Sequence, residues 1–243
     1  MSQEHSTTQA SENTITSHVR QIEDLSGPAG RLEALLNTGA PHAPFCAVVC
    51  HPYPPAGGTM RTKVVYHTAK VLSGLGIPVL RFNFRGVGLS VGDFDHGHGE
   101  QDDVRAALNW LDRTFHLPLL FAGFSFGSYV GLRACCSDTR VVGRIALGLP
   151  VRAAGRDYTY EFLNRCPGPL LSVSGNQDEF CPPATLRHII GTDPARKVAF
   201  IPGADHFFQG TLESPRSKLP EMQAAVRHWL EEALSARIQA TSK

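Results

Sequence analysis

The chain has 243 residues, of which 42% are hydrophobic and 19% charged, and its formal net charge is +1. Those values suit one α/β domain, or less readily two small ones, and exclude an intrinsically disordered chain. With no basic excess there is no electrostatic footprint for nucleic acid or anionic lipid, and no apolar run approaches the roughly 18 residues of a membrane span.

Met1 to Thr16 is mostly Ser, Thr, Gln and Glu and lacks the apolar centre of a secretory signal. It reads as a disordered lead over residues 1–16, followed by a domain over 17–237 and a short tail over 238–243. Val19 to Asp24 and Arg31 to Asn37 read as strands joined by the turn cluster Ser26-Gly27-Pro28-Ala29-Gly30, a hairpin at a sheet edge. Phe45 to Cys50 is nearly all apolar, as a strand buried on both faces must be. His51 to Gly58 is a proline-rich loop, and Val65, Ala69 and Leu72 recur at helical spacing in the segment after it.

Val79 to Phe84 is the next strand, followed by a glycine-rich loop over residues 85–92. Asp102 to Phe115 places Val104, Ala107, Leu108 and Leu111 on one helical face, with two aspartates near the positive end of the helix. Pro118 ends that helix, and Leu119 to Gly123 forms a further strand. Tyr129 to Cys135 is helical, Ile145 to Leu149 a strand, and 150–169 has no strong period beyond one short helix over Tyr158 to Leu163. Leu170 to Ser174 and Lys197 to Ile201 are the last strands, with a helix over Ala184 to Ile190 between them. Pro220 to Ala236 closes the chain as a helix with Met222, Val226, Trp229 and Leu230 on one face. The alternation predicts a mostly parallel sheet with helices on both faces and an antiparallel N-terminal hairpin. Ligands bind such sheets at the carboxyl ends of the strands.

One stretch carries chemistry. In Gly123-Phe124-Ser125-Phe126-Gly127 an apolar strand meets a helix through a single hydroxyl, the G-x-S-x-G pattern of a nucleophile elbow. The glycines let strand and helix approach closely, where a Cβ would meet backbone. The tight turn exposes the Ser125 hydroxyl and aims the Phe126 N–H at whatever the hydroxyl attacks. A serine nucleophile needs a base, and the base an orienting acid, in the order Ser, acid, His. Of the histidines after Ser125, His188 and His228 fall inside helices; His206 falls in a loop just past the last strand. Asp178 follows the Leu170 to Ser174 strand and is the acid best placed to accept from His206 Nδ1; Glu179 and Asp205 are its neighbours in the same search. A second oxyanion donor is expected from the loop after Phe45 to Cys50, where the prolines have no N–H and Tyr53 stands nearest the strand end.

Other signals point elsewhere and are weaker. In Gly86-Val87-Gly88-Leu89-Ser90-Val91 valine stands where a dinucleotide fingerprint needs its third glycine. Asp93, Asp95, His96 and His98 lie in a glycine-broken loop without metal-ligand spacing, so hydrogen bonding at a helix entry is the simpler reading. The six cysteines show no C-x-x-C pair and read as reduced thiols of a cytoplasmic protein.

With His51-Pro52-Tyr53-Pro54, Arg81-Phe82-Asn83-Phe84-Arg85-Gly86-Val87-Gly88, the serine turn, Gly175 through Asp178 and Asp205-His206, the chain resembles the α/β-hydrolase superfamily. Within it the chain is similar to small, lid-poor serine hydrolases such as dienelactone hydrolases and carboxylesterases. The resemblance implies Ser125 as nucleophile, Asp178 as acid, His206 as base and an oxyanion hole from Tyr53 and Phe126. No cofactor or metal is expected, and where many family members carry a large lid the short span over residues 150–169 leaves no room for one. The activity expected is cleavage of a small carboxylic ester or thioester through an acyl-enzyme, by a monomer or homodimer. Dienelactone hydrolases proper use cysteine where this chain has Ser125, so their substrate does not carry over. An acyltransferase or peptidase with the same triad, and a catalytically idle hydrolase fold acting as a binding module, are the alternatives.

Overall fold

The computed structural model describes residues 18–212 and 214–241; the expected lead over 1–16 lies outside them. Among the described residues, twelve strands and five α-helices follow one another along the chain. Strands β1 (Val19–Ile22) and β4 (Ala34–Asn37) form the expected antiparallel hairpin, tipped by a two-residue ladder of β2 (Ser26–Gly27) and β3 (Gly30–Arg31). The central strands are β5 (Cys46–Cys50), β6 (Val79–Phe82), β7 (Leu119–Phe124), β8 (Val141–Leu147), β11 (Leu170–Gly175) and β12 (Arg196–Ile201). They lie in the order β1-β4-β6-β5-β7-β8-β11-β12. From β6 to β12 every pairing is parallel, while β4 meets β6 antiparallel. The fold is thus the α/β-hydrolase type that the sequence resemblance implied.

Burial follows the pleat. Along β5, Cys46, Val48 and Cys50 join one core, and Ala47 and Val49 the other. The first core packs beneath α2 (Gly99–Phe115), α3 (Phe126–Cys135) and α4 (Pro183–Ile190); the second packs beneath α1 (Lys63–Ser73) and α5 (Leu219–Thr241). Val104, Ala107, Leu108 and Leu111 of α2 are fully buried, each large aliphatic side chain contributing about 1.5–3 kcal/mol. On α5, Met222, Val226, Trp229 and Leu230 cover the opposite face. No described helix is long and apolar enough to cross a membrane.

Several boundaries differ from expectation, among them the following. Strand β8 starts at Val141, four residues before the apolar run that announces it, because the buried Arg144 interrupts the pattern. The Arg144 guanidinium donates to the carbonyls of Cys135, Cys136 and Pro167, capping the end of α3 as cations do. Residues 150–169 hold a two-residue hairpin, β9 (Arg152–Ala153) with β10 (Arg156–Asp157), and a 3₁₀ turn at Glu161–Arg165 rather than a helix over Tyr158 to Leu163. Helix α5 continues to Thr241, through residues expected as a tail.

Candidate active site

Because the central strands are parallel, the loops after β5, β6, β7, β8, β11 and β12 all emerge at one edge of the sheet. Ser125 sits there, between β7 and α3, with φ 54° and ψ −122°. A positive φ at a non-glycine residue carries about 1–3 kcal/mol of strain and persists only where the surroundings enforce it. Here several contacts do. The Ser125 N–H donates to Leu147 O at 2.8 Å. Ser128 Oγ lies 2.5 Å from Gly123 O and 2.9 Å from Leu147 O, either of which takes its single proton, and it accepts from the Leu147 N–H at 3.1 Å. A Cβ at Gly123 would stand 2.7 Å from the Gly127 backbone, and one at Gly127 only 2.3 Å from His51 O. The close approach read from the sequence therefore requires glycine at both positions.

His206 follows β12 and Asp178 follows β11; both are 3% exposed. His206 Nε2 lies 2.9 Å from Ser125 Oγ, and His206 Nδ1 lies 2.9 Å from Asp178 Oδ2 and 3.0 Å from Oδ1. Asp178 also accepts from the Phe180 N–H at 2.9 Å and the Ser174 hydroxyl at 3.0 Å. A carboxylate with these donors accepts the imidazole N–H, which leaves Nε2 free to take a proton from the serine. Rings of Phe124, Phe180 and Phe207 surround the imidazole, with centroids 5.0, 4.5 and 5.3 Å away. Asp205, adjacent in sequence, is turned away and accepts the N–H groups of Phe207 and Gln209. It shapes the loop that carries His206. Glu179 is exposed.

Tyr53 and Phe126 flank the serine, with rings edge-to-face and centroids 5.6 Å apart. Neither backbone N–H donates to a protein acceptor among the described residues. The Tyr53 carbonyl accepts from Ala56 and Gly58, which curls the loop back on itself. The anchor of this loop is His51, a residue that sequence reasoning passed over. It is fully buried, its Nδ1 lies 2.7 Å from Pro52 O, and its Nε2 lies 3.0 Å from the Phe84 nitrogen. A carbonyl can only accept and an N–H only donate, so His51 is neutral and protonated on Nδ1. Burial pushes its pKa from 6.5 down to about 4 against the opposing pull of Pro52 O. Gly148 was missed as well: a Cβ there would stand 3.0 Å from His206 Cε1.

A cleft of about 240 Å³ opens on Ser125 and His206, walled by Tyr53, Gly58, Tyr158, Phe180 and Phe207 and overhung by Ala153 and Ala154 of the β9–β10 hairpin. The other loops are committed to holding the fold. Asp95 accepts the Gly99 N–H at the entry to α2. The glycine-rich loop is tied down by Glu33, which accepts from Asn83 and Leu89, and by the Arg85–Asp103 pair. All six cysteines are free thiols.

A parallel sheet presenting a serine, a histidine and an aspartate from three strand ends is the architecture of the α/β hydrolases. The chain belongs to the alpha/beta hydrolase domain family, whose model matches residues 48–233. It is 34% identical over 214 residues to an uncharacterised protein of Rickettsia prowazekii, covering 84% of this chain and 86% of that one. An alpha-beta serine hydrolase homologue from Coxiella burnetii superposes with TM-score 0.74 at 32% identity, covering 88% of this chain and 97% of the other. A serine hydrolase without lid from Xanthomonas campestris superposes with TM-score 0.72 at 34% identity, covering 88% and 94%.

Proposed function

We propose that the protein is a serine hydrolase that cleaves small carboxylic esters or thioesters through an acyl-enzyme. The observation that carries this reading is the continuous relay from Asp178 through His206 to Ser125 Oγ, with both links at 2.9 Å, opening on a small apolar cleft. Ser125 Oγ attacks the carbonyl carbon while His206 Nε2 takes its proton, and Asp178 stabilises the resulting imidazolium. The N–H groups of Tyr53 and Phe126 receive the oxyanion. His206 returns the proton to the leaving alcohol or thiol and then activates water to release the acid. The substrate is expected to be small, because a cleft of about 240 Å³ lies below the roughly 300–1,000 Å³ of drug-sized ligand sites. Its aromatic walls favour apolar acyl groups. A lid-poor relative and six free thiols agree with an open enzyme of a reducing compartment, expected to be cytoplasmic and monomeric or homodimeric.

The test is steady-state hydrolysis of p-nitrophenyl esters of increasing acyl length and of matched thioesters. Wild type is expected to prefer the shortest acyl chains. Ser125→Ala is expected to lose activity by at least about 10⁴-fold with its melting temperature retained. A folded Ser125→Ala protein with undiminished turnover would remove the nucleophile, and equal rates across long acyl chains would remove the size argument.

A further inference from the structure

Away from the cleft, a second cavity of about 230 Å³ lies between α1 and the antiparallel edge of the sheet, lined by Val19, Tyr66, Ala69, Lys70, Ser73 and Arg81 among others. Arg81 projects from β6 onto the α1 face, where its guanidinium lies 5.7 Å from the centre of the Tyr66 ring. The residue is only 5% exposed. Its Nη1 donates to Met60 O, but Nε is buried with no acceptor and Nη2 has none among the described residues. No carboxylate pairs with Arg81, Lys70 or the neighbouring Arg61 among the described residues.

Buried charges are ordinarily paired, because desolvating one alone costs several kcal/mol. Burial and the Arg61 cation both lower the Arg81 pKa, with Tyr66 opposing them. Among the described residues this buried cation thus has a second cation, Arg61, beside it and no carboxylate partner. Nε has almost no accessible surface, so Nη2 is the guanidinium donor left to meet an oxyanion from the cavity. Lys70 stands on the same wall as a point charge and Tyr66 brings a hydroxyl, while the Ser73 hydroxyl donates to Lys70 O. A cavity of this volume holds a tetrahedral oxyanion with a few waters, since a water takes about 30 Å³.

We propose that this cavity is a binding site for a dianionic phosphate group, free or carried on a small molecule, gripped by Arg81 and Lys70. It is separate from the serine cleft but not remote from it. The Met60 carbonyl that Arg81 holds lies two residues from both Gly58 and Thr62, which line the cleft.

The test is calorimetric titration of the full chain with inorganic phosphate, glycerol 3-phosphate and acetate at fixed ionic strength, with melting curves alongside. Wild type is expected to bind both phosphate probes saturably and acetate at least roughly tenfold more weakly. Tighter binding of glycerol 3-phosphate identifies a carried group; equal binding identifies the free ion. Lys70→Glu, at an exposed position, is expected to keep the fold and weaken phosphate roughly tenfold or more. Arg81→Met is expected to abolish binding, and because it leaves the Met60 carbonyl without its donor its fold is checked by the melting curve. Should Arg81→Met fail to fold, Lys70→Glu decides alone. No saturable binding, equal binding by Lys70→Glu, or acetate binding as tightly as phosphate overturns the proposal.

Discussion

Acidification should loosen the Tyr53 loop through His51. In the folded chain His51 accepts the Phe84 N–H on one nitrogen and donates to Pro52 O from the other, so a second proton has no acceptor to face. Its pKa is about 4 when folded against 6.5 as an ordinary histidine. The unfolded chain therefore binds the proton first as pH falls. The stabilisation is complete above pH 6.5, declines as pH drops, and is gone below about 4. The difference corresponds to about 3 kcal/mol in all, of which a little under half is lost by pH 5.5 and most by pH 4.5. Because the side chain is fully buried, solvent screening removes little of this. Against a native stability of about 5–15 kcal/mol the loss is large. The assay is urea unfolding at pH 7.5, 5.5 and 4.5 on wild type and His51→Gln, whose amide can also donate and accept but does not titrate. Subtracting the two curves cancels every other titrating group. The difference should fall by about 2–3 kcal/mol between the extremes. Parallel pH profiles for the two proteins would refute the reasoning.

The role given to Tyr53 is that of its N–H, so Tyr53→Ala should retain most activity, whereas Tyr53→Pro should lower kcat by roughly 10²–10³-fold. Its φ of −50° already suits proline, so unfolding is not the expected cause, and a shared melting temperature checks this. Ser128→Ala leaves the buried Leu147 N–H without its acceptor and should cost about 1–3 kcal/mol in chemical denaturation. Gly148→Ala forces a methyl against His206 at 3.0 Å and should lower kcat more than it raises KM.

The parts of the site that were legible in the sequence are those with a chemical reason to sit at a fixed place in the chain. Ser125 is marked by two glycines that the backbone itself demands, and the order of strands leaves His206 as the loop histidine that follows the last strand. Asp178 follows from the strand before it. His51 was hidden because its partners are backbone groups of Pro52 and Phe84, the latter on a different strand end, and no spacing announces such a pair. Ser128 was hidden for the same reason, as an unremarkable hydroxyl in a helix whose partners are Gly123 and Leu147. The β9–β10 hairpin has two residues per strand, too few to establish a period of two. Arg144 disguised the start of β8 because a buried charge satisfied by carbonyls looks, in sequence, like an exposed one.

The central claim is that one serine, activated by His206 and Asp178, carries the acyl group. Intact-mass measurement and peptide mapping after treatment with a fluorophosphonate test it most directly. The account predicts one adduct per chain, on Ser125, forming roughly 10⁴-fold more slowly in Asp178→Asn. Adduct on another residue, or labelling of Asp178→Asn at the wild-type rate, would contradict it.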